Sequence, residues 1–205
     1  MKTRIALLVA ACLLAQNALA AVPPTGNAEA GKQKTVICGA CHGADGNSLA
    51  PTFPKLAGQH ASYLYKQMKD VKSGARVIAV MAGQLDALNE QDLADIAAFY
   101  ESQKGTPGVA KEELVALGGT IWRAGIRERA IPACAACHSP TGKGNGPAKY
   151  PMLSGQHAEY IASSLRAWRS EERKNDGDSR LMRDVAAHLT DRELEAVSSY
   201  ASGVH

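Results

Sequence analysis

Cys38-Gly39-Ala40-Cys41-His42 returns further along the chain as Cys134-Ala135-Ala136-Cys137-His138, and these two stretches decide the fold. On a helical turn, residues three and four positions apart share a face. Cys38, Cys41 and His42 therefore converge: two thiols are placed to form thioether bonds to a porphyrin edge, and one imidazole is placed to reach its iron from below. The spacing reads as a covalent haem c site, present twice. Three other uses of such cysteines compete. A redox-active Cys-x-x-Cys has no need of the adjacent His, a zinc site brings its two cysteine pairs much closer together, and disulfides are common in exported chains. The His that follows each pair, and the matching context of the two copies, favour two haem c groups.

That context is itself a repeat. Phe53-Pro54-Lys55-Leu56-Ala57-Gly58-Gln59-His60 is echoed by Tyr150-Pro151-Met152-Leu153-Ser154-Gly155-Gln156-His157 at nearly the same distance after each motif. The stretch from Met81 through Leu88-Asn89-Glu90-Gln91-Asp92-Leu93 to Tyr100 matches that from Met182 through Leu189-Thr190-Asp191-Arg192-Glu193-Leu194 to Tyr200. Three matches in register argue for a duplicated domain. Pro and Gly in Gly105-Thr106-Pro107-Gly108 mark the seam, so the expected units are 21–108 and 109–205. Each is too small to bury much of its own surface. With 2 Phe, 2 Trp and 6 Tyr in the whole chain, a buried porphyrin would supply the missing apolar area at about 25 cal/mol per Å².

At the N-terminus, Lys2 and Arg4 precede an apolar run from Ile5 to Leu14 and the small-residue site Ala18-Leu19-Ala20. This reads as a secretory signal over residues 1–20, placing the mature chain in the periplasm. Cys12 sits in a faint lipoprotein-like context, but the apolar residues that follow it favour conventional cleavage. Removing the signal leaves four cysteines, all of them in the two motifs, and no stretch of the roughly 20 apolar residues that a membrane-spanning helix needs. The 23 Lys and Arg nearly balance the 20 Asp and Glu, so nothing points to nucleic acid.

The patterning predicts helices throughout. Gly31 to Cys38 and Lys111 to Arg127 lead into the motifs, and Gln59 to Lys72 and Gln156 to Trp168 form the middle of each unit. Asn89 and Thr190 cap closing helices, Thr190 with Glu193 at capping-box spacing. Strand signals are weak, so the expected class is all-α.

The sixth ligand of each iron separates a carrier from a catalyst. Met68 aligns with Leu165 and Met152 with Lys55, so neither recurs. Met81 and Met182 do recur, in expected loops before the closing helices, and are favoured over a gap-filling role. His60 and His157 also recur and are the rival pair, although each follows its motif closely with little chain to wrap across a ring. Pro51 and Pro147 recur as well, and a carbonyl there is a candidate acceptor for the proximal His Nδ1–H.

With these residues in hand, the chain resembles the dihaem cytochrome c4 family, two class I cytochrome c domains in tandem. The resemblance covers both Cys-x-x-Cys-His motifs, both Pro-x-Leu-(Ala/Ser)-Gly-Gln segments and both Met positions. It implies neighbouring haems at a pseudo-twofold domain interface. It also implies a periplasmic carrier, often loosely attached to the membrane, that moves electrons from a quinol-oxidising complex toward a terminal oxidase. A charged insertion near Glu171 to Ser179 departs from the first half. No separate catalytic constellation is apparent. The alternative is a dihaem electron-accepting subunit of a periplasmic flavoprotein dehydrogenase, of the sulfide-oxidising flavocytochrome type; the chain has no Gly-x-Gly-x-x-Gly fingerprint of its own. A dihaem peroxidase would need an open iron and a larger chain.

Overall fold

A computed structural model describes residues 23–205; the expected signal segment and Cys12 lie outside them. The described residues form helices α1 (Ala28–Lys34), α2 (Gly39–His42), α3 (Ala61–Lys72), α4 (Glu90–Ser102), α5 (Glu112–Ala124), α6 (Ala135–His138), α7 (Ala158–Arg169), α8 (Leu181–Ala187) and α9 (Asp191–Gly203). Their only strand-like pairings are two isolated bridges, Ile126 with Ile131 and Asn145 with Tyr150.

Local chemistry sets several of the boundaries. The Asn27 side chain accepts from Ala30 N–H and starts α1. Asn89 forms a full capping box with Asp92, and Thr190 forms one with Glu193, each satisfying amides that the first turn leaves without partners. In each half the leading helix crosses the closing helix, α1 on α4 and α5 on α9. The crossings are close enough to demand glycine. A Cβ on Gly31 would stand 2.0 Å from Asp95 O, and one on Gly118 would stand 2.2 Å from Ala196 O.

Two cores result. Leu64, Ile96, Ala97, Phe99 and Tyr100 pack together in the first domain. Ile121, Trp122, Ile161, Leu165, Trp168, Leu194 and Val197 belong to the second. The second domain adds an ion pair in which Arg129 grips Glu193 through both carboxylate oxygens. The Arg129 guanidinium outweighs the effect of burial and holds the Glu193 carboxyl down at about 2. A carboxylate depressed in this way adds stability above its unfolded value near 4.5 and loses it as pH falls toward 2. Arg129 is 35% exposed in its side chain, so solvent screening keeps the contribution of the pair small. Glu193→Gln is therefore expected to lower the urea midpoint at pH 7 and to converge on the parent protein only as pH falls to about 2.

The structure departs from the sequence expectations in both leading helices and at the methionines. The first leading helix spans Ala28–Lys34 instead of Gly31 to Cys38, and that of the second domain ends at Ala124, not Arg127. Gly125 turns the chain at φ 69, where a Cβ would meet Ile131 O at 2.1 Å, and Arg127–Arg129 form a separate 3₁₀ turn. The two methionines do not occupy loops either. Met81 ends a 3₁₀ turn over Ala79–Met81, and Met182 lies in the first turn of α8. That helix owes its start to the extra residues between Arg173 and Met182. The Asp176 carboxylate accepts from Arg183 N–H at 3.0 Å and from Arg183 Nε at 2.7 Å, and Arg180 adopts a left-handed conformation at φ 50.

Candidate cofactor sites

In α2, His42 N–H bonds Cys38 O at 3.0 Å, which closes the turn that brings Cys38, Cys41 and His42 together. In α6, His138 N–H bonds Cys134 O at 2.9 Å and repeats the arrangement. Both imidazoles are buried, His42 at 9% exposure and His138 at 8%. Each Nδ1 lies against a backbone carbonyl, Pro54 O at 2.9 Å and Pro151 O at 3.0 Å. A carbonyl only accepts, so Nδ1 carries the proton and Nε2 is the ring nitrogen left for a metal. These acceptors are not Pro51 and Pro147, as the sequence suggested. Those prolines lie earlier in the loop, and it is the Pro-x-Leu segment that passes the imidazole.

Burial lowers both histidine pKa values, partly countered by the carbonyl bonds, and so favours the neutral form that can ligate iron. Burial also pushes the Cys134 thiol up to about 11 and raises that of Cys38. Neither thiol is an exposed, low-pKa nucleophile.

A cavity of about 720 Å³ opens beside Cys134, Cys137 and His138. Its wall includes Trp122, Leu153, Ile161, Leu165, Met182 and Val197, and it runs into the first domain to reach Tyr63, Gln67 and Arg76. Among the described residues no cluster of three His, Cys, Asp or Glu could hold a bare metal ion. A metal bound here must bring most of its own ligands, and a large apolar slot with one imidazole and two thiols at its mouth suits a covalently attached porphyrin. Met182 lines this cavity, whereas Met81 stands half-buried in its turn and outside it.

The repeated Gly-Gln-His segments join the domains. Gln59 Nε2 donates to Met152 O at 2.9 Å, and Gln59 Oε1 accepts from Met152 N–H at 2.8 Å. Gln156 does the same to Lys55, both contacts being 2.9 Å. His60 Nε2 reaches Lys143 O at 2.7 Å, and His157 Nε2 reaches Ser48 O at 3.0 Å. The pattern is reciprocal about a pseudo-twofold axis, and it engages both histidines that rivalled the methionines.

Two further recurring pairs escaped the sequence reading, Tyr63 with Tyr160 and Arg76 with Arg173. They lie at the same 97-residue offset as His60 and His157, so extending the repeat would have exposed them. Arg76 Nη2 donates to Tyr160 OH at 3.0 Å across the interface.

An all-α duplicated fold with a buried histidine on each Cys-x-x-Cys-His helix defines a two-domain c-type cytochrome. The family model for cytochrome c matches the chain twice, over residues 28–104 and 116–204. A cytochrome c4 of Azotobacter vinelandii is 51% identical over 189 residues, covering 88% of this chain and 90% of that protein. The crystal structure of reduced recombinant cytochrome c4 from Pseudomonas stutzeri superposes with a TM-score of 0.87 at 49% identity, covering 88% of this chain and 100% of that one. A protein named thiosulfate dehydrogenase electron acceptor, from Stutzerimonas stutzeri strain A1501, is 38% identical over 96% of this chain and 92% of its own length. The chain belongs to the dihaem cytochrome c4 family, electron-transfer proteins with two covalently bound haem c groups.

Proposed function

We propose that this protein is a periplasmic carrier in respiration, taking electrons from a quinol-oxidising complex and passing them toward a terminal oxidase. In this reading residues 1–20 are a cleaved signal and the haem domains span 21–108 and 109–205. Cys38 and Cys41, and Cys134 and Cys137, form the thioether bonds; His42 and His138 are the proximal ligands, and Met81 and Met182 the distal ones.

The observation that carries the reading is the pair of like, buried imidazoles in domains clasped by Gln59 and Gln156. Haem iron supplies a one-electron couple. The chain does the rest: the Pro54 and Pro151 carbonyls fix each imidazole's orientation, apolar walls keep water out, and the reciprocal clasp holds two redox centres at a constant separation. Val36, Ile37, Val77 and Val80 are exposed apolar residues beside Cys38 and Met81 in sequence, and they suit brief docking of another redox protein. Among the described residues no helix is long and apolar enough to cross a membrane, in keeping with at most peripheral attachment.

The test follows the haem absorbance of the oxidised protein mixed with respiratory membranes and quinol. Reduction that stops when the quinol-oxidising complex is inhibited, followed by oxygen-dependent reoxidation, is expected. A second reading, the electron acceptor of a periplasmic dehydrogenase, is favoured by the relative named as the acceptor of thiosulfate dehydrogenase. Reduction only when such a dehydrogenase and its substrate are added would replace the first reading with the second.

A further inference from the structure

Arg76 and Arg173 occupy equivalent positions, one in each domain, and both line the shared cavity. Arg173 is 9% exposed and lies 4.4 Å from the centre of the Trp168 ring. Among the described residues neither arginine forms an ion pair with a carboxylate. Their side-chain partners are neutral, and each arginine reaches at least one of them across the interface. Arg76 donates to Tyr160 OH at 3.0 Å, and Arg173 donates to Gln67 Oε1 at 3.0 Å and leans on Tyr63 OH at 3.4 Å.

Both guanidinium groups meet at one oxygen, because Arg76 Nη1 also donates to Gln67 Oε1, at 2.8 Å. Two nitrogens on a common acceptor lie within about 6 Å of each other. Like charges held that close in a partly dry site repel, and a buried charge without a counter-ion is costly. Asp70 acts on Arg76 from a distance without pairing with it, and that one carboxylate is already bonded by Lys66 and by Asn175 Nδ2, the latter at 2.6 Å, so it does not balance both guanidiniums. Asn175 also binds Gln67 Oε1 and Arg173 Nε, both at 3.0 Å, so the inserted segment of the second domain serves to hold this cluster rigid.

Such a pair needs an anion from outside the polypeptide, and haem carries two propionate carboxylates. We propose that Arg76 and Arg173 are a counter-ion pair shared by the propionates of both haems, so that each guanidinium raises the potential of both irons and not only that of its own domain. A nearby positive charge disfavours the ferric state relative to the ferrous one, and removing it lowers the potential. The two irons thus share one electrostatic control point, assembled only when the domains are joined.

The test is spectroelectrochemical titration of the isolated haem-loaded protein, which needs no partner and so is independent of the relay assignment. Arg76→Gln and Arg173→Gln are each expected to shift the oxidation equilibrium of both irons by threefold or more, where tenfold corresponds to 59 mV for one electron. Arg→Lys variants should retain most of the parent potentials, because the charge remains. Gln67→Glu sets a carboxylate between the guanidiniums without removing either, and should lower both potentials even if the Gln variants load haem poorly. A shift confined to one haem, equal losses in the Lys and Gln variants, or unchanged potentials in Gln67→Glu would each overturn the proposal.

Discussion

The double variant Cys134→Ser/Cys137→Ser is expected to carry one haem instead of two and to lose fixed packing in its second domain. The reason is the size of the space involved. The cavity beside His138 measures about 720 Å³ and is walled by core residues, Trp122, Ile161, Leu165 and Val197 among them. Left unfilled, a cleft of that scale deprives these core side chains of packing partners, and each large buried apolar side chain so stripped costs about 2–5 kcal/mol. A few such losses are comparable to the whole stability of a small domain, roughly 5–15 kcal/mol. Water does not rescue the site, because its walls are largely apolar and offer few of the polar partners that an ordered water needs. Haem-to-protein stoichiometry after acid acetone extraction should fall by half, with reduced helical circular dichroism and earlier thermal melting of one domain. Retention of both covalent haems would remove Cys134 and Cys137 as attachment points.

What the sequence made legible is what depends on near neighbours. Cys-x-x-Cys-His is a single turn, and its geometry follows from helical periodicity alone. The capping boxes at Asn89 and Thr190 are likewise contained within four residues. Which proline carbonyl accepts from the proximal Nδ1 is not legible, because the direction of a carbonyl depends on how the loop is folded over the site, and Pro51 and Pro54 look alike in sequence. Gln59, His60, Gln156 and His157 were visible as a repeat, but their role required the other domain, since each one's partner lies far away in the chain. For Met182, the helix around it forms because Asp176 grips Arg183, a contact made by the inserted residues that distinguish the second half from the first. Arg76 and Arg173 were hidden for a different reason: surface arginines are common, and it takes the fold to show Arg173 buried, Arg76 half-buried and neither paired with a carboxylate.

Met182→Ala is expected to open the second iron, and Met81→Ala the first. The thioether is a neutral donor that favours ferrous iron, and axial ligand identity moves haem potentials over about 0.8 V. Losing one such ligand should lower the potential of the affected haem by on the order of 0.1 V, abolish its weak red absorption band in the ferric state and let the reduced haem bind carbon monoxide. The parent protein should show two high-potential, six-coordinate haems and take up no gas. The rival ligands make an opposite demand. For His60 or His157 to reach an iron, each must give up a carbonyl across the interface, Lys143 O at 2.7 Å or Ser48 O at 3.0 Å. His60→Ala and His157→Ala are therefore expected to leave both haem spectra intact while easing separation of the domains in urea. Gas binding in the histidine variants, with none in the methionine variants, would transfer ligation to the histidines and require that the domain clasp open when the cofactor is bound.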